Sequence, residues 1–299
     1  MFTKALLLLL PAFAYARISI DIQAGSNEQN AKIEYLGSNV DIISDKERGT
    51  WQITDSKLKD AARAYSGGRP DDVYVRSPTP WNDLYTRYGW QQVQRTLLPR
   101  NARILGIKTE PVIVSTQEFV NNSTKKASYN AGITQSVEET VSNTWSKGGE
   151  LTVGQEITYS IKIGVGEVGG TTSISYTSSW GEETTKSKSV TVGSQSGVTI
   201  DLDPGQSVQV TLSATRGTME VQVDYTAHLD GFAACNYSGR YNGHYFWAYD
   251  INACLSAAGL PRSVDSSEVI KIGFYSDAKV EVSDKKSNKL LTQFNAAFY

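Results

Sequence analysis

The chain has 299 residues, 39% hydrophobic and 10% aromatic, enough to fill one large domain or two to three small ones. Its 29 basic and 31 acidic residues nearly cancel to a formal charge of −2. The basic residues are scattered and form no cationic stripe, so nothing in the composition serves a nucleic-acid partner.

The chain opens with Lys4, an apolar run from Ala5 to Leu10, a break at Pro11 and the small residues of Ala14-Tyr15-Ala16. This pattern reads as a secretory signal peptide over residues 1–16, with a mature chain starting at Arg17. The run falls well short of the roughly 20 residues that a spanning helix needs, so a membrane anchor is the poorer reading. Residues 17–106 are mixed. Ile18-Ser19-Ile20-Asp21-Ile22 alternates like a strand. Ser56 to Tyr65 predicts a short helix with Leu58, Ala61, Ala62 and Tyr65 at helical spacing and Ser56 as its cap. A loop rich in Gly and Pro (Gly67, Gly68, Pro70, Pro78, Pro80) follows, and then the dense aromatics Trp81, Tyr85, Tyr88 and Trp90. Such side chains stack on sugars, sit at a lipid interface, or belong to a core.

From about residue 107 the texture changes. Ser and Thr become abundant, and alternation at period two predicts strands over 107–119, 132–145, 151–165, 171–180, 186–200, 207–214 and 218–229. Several exceed the usual length of about 5 to 6 residues. The expected fold is mainly β, an elongated sheet of long antiparallel strands. Asp203-Pro204-Gly205-Gln206 is a turn signal between two of them.

Within this region, residues 155–180 carry the functional expectation. Ile157, Tyr159, Ile161, Ile163 and Val165 take alternate positions with Thr158, Ser160, Lys162 and Gly164 between them. In the second arm Ile174, Tyr176 and Trp180 are apolar, Ser173, Ser175, Thr177 and Ser179 lie between, and Ser178 interrupts the apolar face. Glu167-Val168-Gly169-Gly170 supplies the turn. Each arm therefore has one greasy and one polar face. An inserted barrel strand needs this pattern over about 9 to 11 residues, with apolar groups to lipid and polar ones to the lumen. A lone hairpin would leave unpaired edges in lipid, so insertion implies closure of a barrel by several copies. An ordinary half-buried hairpin shows the same alternation.

Residues 232–299 hold Cys235 and Cys254, a short helical turn near 253–258, and two closing strands at 269–282 and 290–298. In a secreted chain an even pair of cysteines most simply forms one disulfide, here worth about 3 kcal/mol. A zinc site is a poor alternative. The only histidines are His228 and His244, and no CxxC or HxxxH spacing occurs. Tyr237, Tyr241, Tyr245, Phe246, Trp247 and Tyr249 form either a second recognition surface or a packed cap.

The run from Trp145 through Thr191, then 200–210 and 220–227, resembles the central region of the aerolysin-like β-pore-forming toxins, closest to the branch of clostridial epsilon toxin and mosquitocidal toxins. The likeness covers about 107–231. It implies a soluble secreted monomer that binds a cell-surface receptor or glycan, forms a homo-oligomer, and inserts residues near 155–180 into the target membrane. It also places receptor binding in the N-terminal region 17–106, where Trp81, Tyr85, Tyr88 and Trp90 lie, and makes Lys285 to Lys289 a candidate activation cut site, although a solvated turn is the better reading of those residues. A secreted non-lytic relative of the same fold is the alternative.

Gly164-Val165-Gly166-Glu167-Val168-Gly169 spells a dinucleotide-binding motif, but the hydroxyl-rich segment after it is poor helix material, and turn glycines explain it better. Glu138-Glu139 and Glu182-Glu183 point to opposite faces of a strand and read as strand-end solubilising charges. No catalytic, cofactor or metal motif emerges, and the chain reads as a binding and membrane-acting protein rather than an enzyme.

Overall fold

The computed structural model describes residues 17–147, 156–163, 171–194 and 199–299. The expected signal peptide at 1–16 and the expected turn and strand end at 164–170, Val165 included, lie outside them. The N-terminal elements are β1 (Ile18–Ala24), β2 (Lys32–Leu36), β3 (Asn39–Ile42), α1 (Asp45–Thr50), α2 (Asp55–Ser66), β4 (Asp72–Tyr74) and α3 (Pro80–Tyr88). The β region follows as β5 (Gln94–Val120), β6 (Ala127–Asn130), β7 (Thr134–Lys147), β8 (Glu156–Ile163), β9 (Thr172–Ser179), β10 (Thr185–Gly193), β11 (Thr199–Leu202) and β12 (Ser207–Asp230). The chain closes with β13 (Phe232–Tyr241), β14 (His244–Asp250), α4 (Ile251–Ala257), β15 (Ser263–Asp284), β16 (Leu290–Asn295) and β17 (Ala297–Phe298).

The frame is a sheet in the order β17-β10-β7-β15-β12-β5-β3, with β16 paired to β15. A second sheet, β2-β1-β8-β9, packs on one half of it. β13 is flanked by β14 and β4, and β6 pairs with β11. The long strands serve two cores. The inward residues Val208, Val210 and Leu212 of β12 and Val280 and Val282 of β15 fill one. Val221, Val223 and Tyr225 of β12 and Ile270 and Ile272 of β15 belong to the other, shared with the second sheet and the helices.

The two segments expected at 207–214 and 218–229 are one strand. Between Ser213 and Thr215 its register against β15 slips, and the inward set changes from even to odd positions. One extra residue in a ladder does this, and locally it imitates a strand end. Beside the bulge, Gly217 faces the buried ring of Phe274, where an added Cβ would lie 2.2 Å from the ring. β5 is likewise far longer than expected. Pro99, Gly106 and Pro111 interrupt its pattern, but past the short pairing with β3 it is a sheet edge, where such residues are tolerated.

The helix predicted at 56–65 is α2, with Leu58, Ala61 and Ala62 buried. Its N-cap is Thr54 rather than Ser56. The aromatic stretch that follows the Gly- and Pro-rich loop, for which no element was predicted, lies mostly in α3. Glu139 corrects the reading of the glutamate pairs. It is buried on the inward face of β7 while Glu138 stays exposed, because alternation must send one of two neighbours inward.

The disulfide is also corrected. Cys235 and Cys254 are free and buried. Cys235 is fixed in β13 opposite Trp247 and Val73, and Cys254 faces the core from α4. Sheet pairing and helix packing already close this loop, so each thiol serves as a small apolar group. Burial pushes the Cys254 thiol up to about 12, and raises Cys235 too, with Cys254 adding to the effect. Neither supplies the thiolate that exchange requires near neutral pH. Ellman titration of native protein is expected to detect no fast-reacting thiol, and both cysteines after denaturation. A disulfide would give none in either state.

Candidate functional site

β8 and β9 form the predicted hairpin, antiparallel and in register from Glu156↔Ser179 to Ile163↔Thr172. Ile157, Tyr159, Ile161 and Ile163 are fully buried, and Ile174 and Trp180 are buried with them. Tyr176 is half-buried and stacks on its cross-strand partner Tyr159 with ring centroids 4.7 Å apart. Lys162, Ser173, Ser175 and Thr177 are exposed on the outer face. Ser178, the break in the apolar face, is buried and paired with the Thr184 hydroxyl at 2.9 Å. Burying a large apolar side chain gains about 1.5–3 kcal/mol, so Ile157, Tyr159, Ile161 and Ile163 together hold this arm by roughly 6–12 kcal/mol. An apolar bilayer interior offers those side chains comparable shelter.

Three features hold the hairpin to the body. First, β1 runs parallel along the whole of β8, from Ile18↔Ile157 to Ala24↔Ile163, and covers its edge. Second, Trp180 donates its Nε1 hydrogen to Ser266 Oγ at 3.0 Å and packs on Trp51, ring centroids 6.3 Å apart. Third, two carboxyls of the body accept hydroxyls of the hairpin. Tyr159 donates to Glu268 Oε2 at 2.8 Å, and Thr172 donates to Glu139. Glu268 also accepts from Tyr225 at 3.0 Å and from Asn143 Nδ2 at 2.6 Å. Burial raises the Glu268 carboxyl to about 7, although the bonds from Asn143, Tyr159 and Tyr225 pull it down. Burial likewise raises Glu139, against the Thr172 bond and the Lys188 charge. Neither acid was recognised from the sequence, where a lone Glu at an inward position reads as a fault in the pattern.

The aromatic residues predicted for recognition divide. Tyr85 is core. It is 3% exposed, and its hydroxyl donates to the carbonyls of Tyr74 and Phe232. It is therefore no surface contact, because the helix turns its ring onto the β4–β13 sheet. Trp81 and Tyr88 are 39% and 44% exposed, and Tyr88 stacks on Trp90 at 4.7 Å. Phe246 joins them from β14, 5.3 Å from Trp81 and 6.3 Å from Tyr88. The two aromatic-rich segments of the sequence thus meet in one face. Other rings of the second segment pack against each other instead, as Tyr237 on Tyr241 at 4.7 Å.

Trp81 sits in a strained turn. Trp81, Asn82 and Asp83 all have positive φ, at 63°, 63° and 51°, at a cost of about 1–3 kcal/mol each. The Asp83 carboxylate holds the turn, accepting from Thr86 Oγ1 at 2.6 Å and from Ser77 Oγ at 2.8 Å. These bonds, the Thr86 one foremost, keep Asp83 below the ordinary carboxylate range. Tyr74 meets Trp81 edge-on at 6.2 Å and lines a cleft of about 310 Å³ with Asp45, Arg48, Asp55 and Arg76. Aromatic rings beside carboxylates and guanidinium groups suit a ligand with both apolar faces and hydroxyls.

Comparison with known proteins identifies the family and the fold. Residues 93–293 match the family described as Clostridium epsilon toxin ETX/Bacillus mosquitocidal toxin MTX2. The chain is 44% identical over 265 residues to U-megalopygitoxin(8)-Mc8 of Megalopyge crispata, covering 89% of this chain and 91% of that protein. It is 43% identical over 285 residues to U-megalopygitoxin(8)-Mo12 of Megalopyge opercularis, covering 95% and 98%. Among solved structures it shares the fold of parasporin-2, a Bacillus thuringiensis toxin that recognizes cancer cells. The TM-score is 0.58 at 19% identity, over 82% of this chain and 98% of that one. By sequence and by fold, this chain belongs to the ETX/MTX2 family of aerolysin-like pore-forming toxins.

Proposed function

We propose that this protein is a secreted toxin that docks on a cell-surface receptor or glycan, assembles into a ring of identical copies, and releases β8 and β9 to line a transbilayer β-barrel. The observation that carries the reading is the stored hairpin. The apolar side chains of β8 are fully buried, its polar face is wet, and its only charge between Ile157 and Ile163, Lys162, lies on the face that would line the lumen. Closure by several copies follows from the need to pair every backbone group in lipid. On this reading residues 1–16 direct export, and the face of Trp81, Tyr88, Trp90 and Phe246 makes the first contact.

The test is dye release from cultured cells and from vesicles made of their membranes, with a gel assay for detergent-resistant oligomers. Release accompanied by such an oligomer is the expected result. Surface binding with neither would favour a non-lytic protein of the same fold. For the recognition half, Trp81→Ala is expected to lower cell binding at least tenfold, with melting shifted by less than about 2 °C because the side chain is partly exposed. Unchanged binding to every cell type that the parent protein binds would remove the aromatic face from the proposal.

A further inference from the structure

The polar groups under the hairpin divide unevenly between the part that would move and the part that would stay. Among the described residues, the inward face of β8 and β9 carries neutral groups only: Tyr159, Thr172, Tyr176 and Ser178 beside the aliphatic ones. The acceptors opposite are carboxyls of the body, Glu268 on β15 and Glu139 on β7. A departing hairpin would carry no ionised group from this interface into lipid, and both acids would be left behind and wetted.

Glu268 is the better placed of the two. It is fully buried, and four elements converge on it. The titratable groups that face it are Tyr159 from β8, Tyr176 from β9 and Tyr225 from β12, and β7 contributes the neutral amide of Asn143. The causes that set its protonation include no charged side chain. A carboxyl in such a place ionises against the cost of burial, which the three donors offset only in part, and ionises more easily once water reaches it.

We infer that Glu268 is the positioning residue that keeps the hairpin stored, and that loss of its proton loosens the hairpin from the body. Glu139, which accepts from Thr172 at the tip end of β9 and lies near Lys188, makes a second and weaker tie. The inference concerns storage in the soluble protein, and it has a role in pore formation only through the reading of β8 and β9 as the inserted hairpin.

The sign follows from linkage. Covered, the Glu268 carboxyl is held up to about 7 by burial, and exposed to water it returns toward 4.5. The stored form therefore binds the proton more tightly than the opened form. Its advantage is fully present below about pH 4.5 and is lost as pH rises through 7. Over that window opening becomes easier by up to about tenfold per pH unit, on the order of 100-fold in all. Tyr225, raised by burial, stays neutral throughout and contributes no slope.

Hydrogen exchange of the soluble monomer tests this without any membrane. Protection factors of the β8 and β9 amides, corrected for intrinsic exchange, are measured from pH 5 to 8 with β12 as internal control. The expected result is a fall of at least tenfold in β8 and β9, none in β12, and a much flatter profile in Glu268→Gln. Tyr225→Phe removes one donor to the anion while every residue of the hairpin stays as it is, and is expected to move the midpoint upward. It also serves if Glu268→Gln does not fold. A flat profile in the parent protein, an equal slope in Glu268→Gln, or an unmoved midpoint in Tyr225→Phe overturns the inference. Dye release is read separately. A pH-dependent latch in a protein that never permeabilises vesicles would leave this inference standing and defeat the insertion reading.

Discussion

Oxidising a Ser19→Cys, Thr158→Cys variant is expected to bring dye release down to background, and a reductant to restore it. The two positions are direct partners in the parallel pairing of β1 with β8 and lie on its outer, partly exposed face. Their Cα atoms stand at the spacing of neighbouring strands, about 4.8 Å, within the range a disulfide bridges. Once joined, β8 can leave only by dragging β1 with it. β1 is held by Ile18, Ile20 and Ile22, all buried, and on its other edge by β2. Removing three such side chains from the core costs roughly 4.5–9 kcal/mol beyond the cost of moving the hairpin. The native thiols, both buried, do not compete for the new bond. Cell binding should be unchanged, because the aromatic face is on α3 and β14. Full release by the oxidised protein would show that β8 and β9 are not the inserted strands, or that β1 travels with them.

The second large effect concerns the body that stores the hairpin. Arg95 of β5 and Glu47 of α1 form an ion pair at 2.8 Å with side chains 0% and 2% exposed. The guanidinium also reaches the Asn39 carbonyl at 3.2 Å, and the carboxylate accepts from the backbone and hydroxyl of Ser44 at 2.8 and 2.7 Å. Three elements are thus tied at one point. Arg95→Ala leaves the carboxylate buried and uncompensated, which costs about 3–5 kcal/mol. At about 2–4 °C per kcal/mol for a chain of this size, melting should fall by about 10 °C. The paired replacement Arg95→Met with Glu47→Leu is expected to recover most of that, because an apolar pair removes the stranded charge. A single substitution no worse than the double one would show that the pair does not hold these elements together.

Several features of the chain were legible from local pattern. Strand alternation is a property of neighbouring residues, and the inward positions of the hairpin, Ile157 through Ile163 with Ile174 and Trp180, are buried as their spacing implied. α2 and the turn at Asp203 to Gln206, closed by a 3.0 Å bond from the Gln206 N–H to the Asp203 carbonyl, were equally local. The resemblance over 107–231 named the family for the same reason, since long hydroxyl-rich strands and an amphipathic hairpin leave their mark residue by residue.

What tertiary structure alone decided are the contacts between residues far apart in the chain. Period two says that one of Glu138 and Glu139 turns inward but not which, because the choice depends on the register against β10 and β15. The register slip between β12 and β15 shifts the inward parity of β12 midway, and nothing near Ser213 announces it. Glu268 finds Tyr159 across 109 residues, and Phe246 reaches Trp81 from a segment whose pattern fits a second surface and a packed cap equally. The thiols, expected to be joined, are free and buried, and packing rather than a covalent bond closes their loop. A sequence carries the propensity of each strand. Which acid lies beneath which hydroxyl follows only when the sheets are laid on one another, because the energy of a buried polar group depends on the partner it meets there.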